Sequence, residues 1–342
     1  MAKDIKSTIF YNKALGCLML GLIGDAMGTP SEGKTYEDIE NKFGWIDNFS
    51  SDGTDDTVMK DLLAEALIRS EGFAGVDEWA SVWIDKRSEI FGEKVGKFFP
   101  SVLHTAFKLG RGFIPRMVAL GNMPSSSSAM CISPVGIVNA CDPREAATQA
   151  YALGGLIHVY DVSFCQDGAA AMAASVAEAF RTNATLVSVI EAACKFLHPL
   201  SGAEMRQRID FTLGLAKKHG EYKAFREALY AVRDEFFCEI GCDSRETIPI
   251  TVALFSLSGG DVEKSVQYSA NFGRDADTIA SMCGAIAGAL NGADSIRQDW
   301  KDKVHEYAQT DQEELAEKLA RTAIKKIATR EESQALFRSI SN

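Results

Sequence analysis

Gly16-Cys17-Leu18-Met19-Leu20-Gly21-Leu22-Ile23-Gly24-Asp25-Ala26-Met27-Gly28 has the spacing of a helix. From Phe10 to Met27 apolar residues recur at intervals of three and four, and Gly21, Gly24 and Gly28 fall on one face. Glycine weakens a helix, so three on one face point to the close approach of another backbone or of a ligand. The run also carries Asn12, Lys13 and Asp25. It is too polar to span a membrane, shows no secretory cleavage signature, and is expected to be a core helix.

Outward from this run, nearly every periodic segment is helical. Val58, Met59, Leu62, Leu63, Ala66 and Leu67 form an amphipathic stretch that Gly72 ends. Further helical runs are expected near 76–88, 95–109, 143–158, 167–181, 185–197, 203–218, 222–239, 247–258, 261–272, 278–291 and 311–338. No segment alternates as a half-buried strand, no hairpin signal occurs, and no repeat has a fixed period. No long linker divides the chain. An all-α, single compact many-helix domain over residues 1–342 is therefore expected. Residues 121–136, with two prolines and five serines, lack any period. Such a stretch in a helical protein is either a functional loop or a solvated connector.

With 342 residues, 46% of them hydrophobic, the chain can bury a large core. Its net charge of -11 and lack of a basic stretch argue against nucleic acid as a partner. The eight cysteines are scattered, mostly in apolar runs, and Cys238 and Cys242 lack zinc-ribbon spacing. They are expected to be reduced, buried thiols of a cytoplasmic protein.

Two short acidic clusters carry the chemistry. Thr54-Asp55-Asp56-Thr57 opens one amphipathic run, and Gly273-Arg274-Asp275-Ala276-Asp277-Thr278 opens another. Acids and threonines at a helix start are commonly caps. Two carboxylates and a hydroxyl in so few residues are also the oxygen donors that hard divalent cations such as Mg2+ take. Together, the clusters offer enough oxygens for two ions, and helix dipoles at Asp55 and Thr278 would help keep the carboxylates ionised.

In this setting the Gly16–Gly28 motif, followed by Pro30 and Glu32, resembles the opening motif of the ADP-ribosylglycohydrolases. Thr54-Asp55-Asp56-Thr57 is similar to their first metal motif. Asp275-Ala276-Asp277-Thr278, followed by Gly284-Ala285-Ile286-Ala287-Gly288-Ala289, is similar to their second. Gly121-Asn122 to Pro134-Val135-Gly136 resembles their central substrate loop, and His158 before Asp167-Gly168-Ala169 has a counterpart. The four motifs occur in the family's order between about residues 12 and 300.

The resemblance implies an all-α domain with a dinuclear metal cleft, holding two Mg2+ (or Mn2+). It implies a metal-dependent hydrolase that cleaves a glycosidic bond at C1 of ribose in ADP-ribose adducts or a related riboside. By position, Thr54, Asp55, Asp56, Asp275, Asp277 and Thr278 would be the metal ligands, with Asp55 and Asp56 also catalytic. Glu32 matches a glutamate proposed as a base or gate; its alternative is an exposed loop acid. On the substrate side fall Asp25, Asn122, Ser133, Gly136, His158 and Arg274. Asp25 is an anchor behind the ligands or an exposed turn acid, and His158 is a substrate contact or a structural histidine.

Two departures from the family bear on the substrate. Many relatives have Gly-Asn-Gly and then Met-Arg in the central loop. Here Asn122-Met123-Pro124 and Met130-Cys131 stand in those places, so a phosphate-gripping arginine is missing. Arg274 replaces a glycine, either as a new anion binder beside the metals or as a structural ion-pair partner. A small riboside or an ADP-ribosylated substrate is the expected partner, with the oligomeric state left open. The rivals are a non-catalytic, crystallin-like relative and an Mg2+-dependent phosphate-ester hydrolase. The latter usually needs more cations near the acids than Lys60 and Arg274 provide.

Overall fold

The computed structural model describes residues 4–341. Its α-helices, in order, are α1 Ile9–Gly28, α2 Tyr36–Phe43, α3 Asp55–Arg69, α4 Val76–Asp85, α5 Arg87–Ile90, α6 Pro100–Leu109, α7 Ser133–Val138, α8 Pro143–Gly154 and α9 Phe164–Ala179. They continue as α10 Leu186–Lys195, α11 Ala203–His219, α12 Tyr222–Ala231, α13 Arg233–Phe236, α14 Ser244–Leu257, α15 Val262–Ala270, α16 Ala276–Asn291, α17 Gln298–Tyr307 and α18 Gln312–Ile340. No strand occurs among the described residues. The expected all-α architecture is what forms, packed in one compact body.

At its centre α1 and α16 lie antiparallel, from Gly16 beside Gly288 to Gly28 beside Asp277. The glycine face makes this possible. A Cβ on Gly24 would sit 2.1 Å from the Ala280 carbonyl oxygen, and one on Gly288 would sit 2.0 Å from that of Gly16. Only glycine lets the two backbones approach so closely. Gly21 does not share this role, because a Cβ there meets its nearest atoms at an ordinary 3.6 Å. α1 is long and apolar enough to cross a bilayer, yet it is buried from Ala14 to Gly28 inside the main core. A smaller core joins α12, α14 and Phe272.

Several expected boundaries shift. The run at 95–109 is helical only from Pro100, after a single 3-10 turn at Val95–Lys97. The 222–239 run breaks into α12 and α13. The second acidic cluster enters its helix at Ala276, two residues before the Thr278 start assumed from sequence. Residues 121–132 are irregular as expected, but α7 begins at Ser133. The stretch is no solvated connector: Ser125, Ser126, Ser127 and Ser128 are all buried.

Candidate metal centre

Asp25 organises the site. It is fully buried near the C-terminal end of α1, so it is not an exposed turn acid. Its Oδ1 accepts from the Thr54 backbone N–H at 2.9 Å and from Thr54 Oγ1 at 2.8 Å. Its Oδ2 accepts from the Thr57 N–H at 3.0 Å and from Thr57 Oγ1 at 2.6 Å. One carboxylate thereby takes up the Thr54 and Thr57 N–H groups that flank Asp55 and Asp56 and fixes where those two stand. Gly53 lets the loop approach: with φ +81°, it would place a Cβ 2.3 Å from Asp25 Oδ2.

The two acidic clusters meet. Thr54 Oγ1 lies 3.3 Å from Asp277 Oδ2, and Thr278 Oγ1 lies 3.3 Å from Asp56 Oδ2. Ser126, from the irregular stretch, donates to Asp275 Oδ2 at 3.0 Å. Backbone bonds from Gly33 N–H to the Arg274 carbonyl (2.7 Å) and from Arg274 N–H to the Lys34 carbonyl (2.8 Å) join the Glu32 loop to the second cluster. The clusters are not caps. Neither Thr54 nor Asp275, the residues at the N-cap positions, makes a side-chain capping bond.

The donor set fits a hard divalent cation. Asp56 Oδ1 and Asp277 Oδ1 are buried without a hydrogen-bond partner. Oxygens of Asp25, Asp56 and Asp277 lie within 4.8 Å of one another. The Oδ2 atom of each of these two carboxylates meets a threonine hydroxyl while its Oδ1 is left over, and such an all-oxygen set suits Mg2+ or Mn2+. Burial, then mutual repulsion, raises Asp55, Asp56 and Asp277 well above the usual carboxylate range. Asp275 is raised to about 8, mainly by burial. Buried acids crowded in this way require a counter-cation to ionise together. Asp25 belongs to the carboxylate triad by distance, but four donors already occupy its oxygens, so we assign it the anchoring role.

Glu32, Asp55, Asp56, Asp275, Asp277 and Thr278 line one cavity of ≈ 70 Å³. Lys97, Phe99, Ser126, Ser127, Met130 and Cys242 complete its wall. A cavity of ≈ 400 Å³ lies by Tyr11 and Leu15, toward the other end of α1, but its wall sets only Asp294 and Glu313 beside Lys6, Lys301 and His305. Donor chemistry, not volume, places the site. Glu32 sits at the mouth, paired with Lys97 at 3.0 Å.

The other substrate-side residues are elsewhere. Asn122 is buried and stapled: its amide donates to the Ser101 carbonyl (3.2 Å), Thr105 Oγ1 (2.9 Å) and the Ile157 carbonyl (2.7 Å). Its oxygen meets His104 Nδ1 at 2.6 Å. Ser133 is buried at the start of α7, and a Cβ on Gly136 would strike Val176 of α9 at 2.5 Å, so both belong to helix packing. His158 is wholly buried, with Nε2 3.0 Å from Ser125 Oγ and Nδ1 3.0 Å from Ser128 Oγ. Burial lowers its pKa to about 3, so the ring is neutral and braces the serine stretch from behind.

Arg274 is held by an ion pair. Its Nε and Nη2 donate to Glu246 at 2.6 and 2.9 Å, Nη2 also donates to the Cys238 carbonyl at 2.9 Å, and the guanidinium lies over Phe237. Glu246, a fully buried side chain of α14, takes up the guanidinium. Sequence reasoning missed Lys97, Phe99 and Cys242, which lie outside every motif. Ser126 lies in the stretch that resembles the family's central substrate loop, and its hydroxyl donates to Asp275.

A sequence profile described as ADP-ribosylglycohydrolase matches residues 6–329. The protein YegU of Escherichia coli (strain K12) is 26% identical over 337 residues, covering 90% of this chain and 96% of that protein. ADP-ribosylhydrolase ARH3 of Homo sapiens is 24% identical over 330 residues, covering 86% of this chain and 90% of that protein. A solved structure titled "ADP-ribosylglycohydrolase-related protein complex" superposes with a TM-score of 0.67 at 19% identity, over 92% of this chain and 99% of that one. This last likeness concerns the fold.

Proposed function

The chain belongs to the ADP-ribosylglycohydrolase family, and on that premise we propose that it hydrolyses the glycosidic bond at C1 of ribose in an ADP-ribose adduct or a related riboside. Membership supports a hydrolase acting on ADP-ribose adducts. The metal dependence and the assignment of roles to residues are our own.

Thr54, Asp55, Asp56, Asp275, Asp277 and Thr278 would hold two Mg2+ or Mn2+ ions. Such ions, when bound, grip ribose hydroxyls and lower the pKa of a water. The chain's own groups do the rest. Cleavage at C1 builds positive charge on the sugar ring, and the four aspartates supply the negative potential that stabilises it. Glu32, at the mouth and paired with Lys97, is the carboxylate outside the proposed ligand set that accepts a proton from the attacking water. Asp25 keeps the first turn of α3 in place.

The observation that carries this proposal is the reciprocal pairing of Thr54 with Asp277 and of Thr278 with Asp56 around orphaned carboxylate oxygens. Intact ligands in all six positions favour an enzyme over a non-catalytic relative. Lys97 as the one cation that the described residues bring to the cavity wall favours glycoside over phosphate-ester chemistry. The cysteines described are all free, which suits the cytoplasmic location we propose. The test is turnover of ADP-ribosylated proteins, free nucleosides and ribosyl phosphates with Mg2+ or Mn2+ and with a chelator. Metal-dependent release of the ribosyl product is expected; no turnover of any C1 riboside with metal present would overturn the proposal.

A further inference from the structure

We infer that Lys97 is the residue that recognises a phosphate on the substrate, and that it does so by exchanging Glu32 for that phosphate. The inference rests on the proposed riboside substrate and adds to it the anionic group and its receptor.

Three observations meet at Lys97. Among the described residues it is the one cation in a cavity wall that carries five carboxylates. Its ion pair with Glu32, at 3.0 Å, joins residues that are 43% and 38% exposed, so the contact is solvent-screened and easily exchanged. The strap that presents it is anchored separately: Lys94, 19% exposed, pairs with Asp52 at 3.0 Å and donates to the Gly53 carbonyl at 3.1 Å. Lys94 thus ties the strap to the loop that leads into Thr54, while Lys97 reaches across the mouth to the loop that follows α1.

The cavity, ≈ 70 Å³ with Lys97 and Glu32 paired in its wall, is far smaller than the roughly 300 Å³ or more that a pocket needs to enclose such a ligand. A phosphorylated riboside must therefore part Lys97 from Glu32 when it enters. Parting them frees a cation for the phosphate and a carboxylate for the water. Arg274, already paired with Glu246, does not supply that cation.

Calorimetric titration of the Mg2+-loaded protein with ribose, ribose 5-phosphate and ADP-ribose tests this. Lys97→Met should weaken both phosphorylated ligands about tenfold, as loss of one charge-assisted hydrogen bond does, and leave ribose unchanged. Glu32→Gln removes the competitor and should strengthen the phosphorylated ligands. The gain should vanish in the Glu32→Gln/Lys97→Met double variant. A strap held only structurally by Lys97 would loosen in both single variants, with ribose weakened too. That pattern, or an unchanged affinity for ribose 5-phosphate in Lys97→Met, overturns the inference, as does a wild type that binds ribose 5-phosphate no better than ribose. The hydrolase proposal fails separately: opposite effects of the two variants with no C1 turnover in the wild type would leave Lys97 standing and the reaction wrong.

Discussion

Thr54 Oγ1 stands 3.3 Å from Asp277 Oδ2 across 223 residues of sequence, and Thr278 Oγ1 repeats the relationship with Asp56 Oδ2. Each acidic cluster thus lends its threonine to the other's aspartate. Asp277→Asn and Asp56→Asn keep side-chain shape but remove charge from a carboxylate whose second oxygen has no partner. Each should lower Mn2+ or Mg2+ affinity more than about a hundredfold, beyond the loss seen when only a supporting residue is changed. Turnover should disappear. The metal-free variants should melt no lower than the wild type, because each loses a buried, repelled carboxylate. Calorimetric metal titration beside a thermal melt checks this, and an undiminished affinity would contradict the ligand assignment.

Arg274→Ala should act on stability and spare phosphate recognition. It strips the partner from Glu246, whose side chain is wholly buried, and breaking such a pair costs about 3 kcal/mol. Arg274→Ala/Glu246→Gln should recover part of that loss. The residue adopts φ +60°, a region where glycine rests without strain. KM for an anionic and a neutral riboside should change by the same factor; a selective rise for the anionic one would restore the anion-binding role expected from sequence.

The sequence made legible whatever its local spacing encodes. The glycine face of α1 and the two acidic clusters are short patterns, and their geometry follows from helix periodicity. Arg274 was ambiguous because its partner, Glu246, lies 28 residues upstream on α14 and no local pattern links them. Asn122 and His158 were read toward the substrate because a polar residue in a flagged loop looks the same whether it faces a ligand or braces the loop from behind. α2 and α17 were not anticipated: their stripes, Tyr36, Ile39 and Phe43 in one and Trp300, Val304 and Tyr307 in the other, are short and set among charged residues. Lys97 falls in the run expected to be helical over 95–109 but forms only a 3-10 turn, and only the fold brings it to Glu32.

His158 predicts a pH effect. Its pKa falls from 6.5 unfolded to about 3 folded, through burial. Between those values the unfolded chain binds the extra proton, so stability drops as pH falls below about 6.5, by up to ~1.4 kcal/mol per unit. The buried aspartates act in the opposite sense, since their raised values make the folded state the better proton binder. Comparing His158→Gln with the wild type at each pH isolates the histidine. Urea midpoints at pH 7, 5.5 and 4.5 should show a variant that is weaker at pH 7 yet loses less on acidification. Parallel curves would mean that the ring is not held neutral.

The α1–α16 contact sets the distance between Asp25 and Asp277, so crowding it should disturb fold and metal site together. Gly24→Ala would press a Cβ to 2.1 Å from the Ala280 carbonyl oxygen, and Gly288→Ala to 2.0 Å from that of Gly16. Backbone cannot yield as a side chain does, so each should cost at least the 1–3 kcal/mol typical of overpacking, roughly speaking. As the helices part, Asp25 carries the first turn of α3 away from Asp277, and metal affinity should fall with the melting temperature. Gly21→Ala is the control on the same face: its Cβ meets Ala285 at 3.6 Å, an ordinary contact. Alanine is the better helix former there, and a gain of roughly 0.4–1 kcal/mol is expected, with metal affinity unchanged. Thermal melts and Mn2+ titrations on the three variants decide it. Gly24→Ala or Gly288→Ala behaving like Gly21→Ala would show that the helices do not set the spacing of the carboxylates.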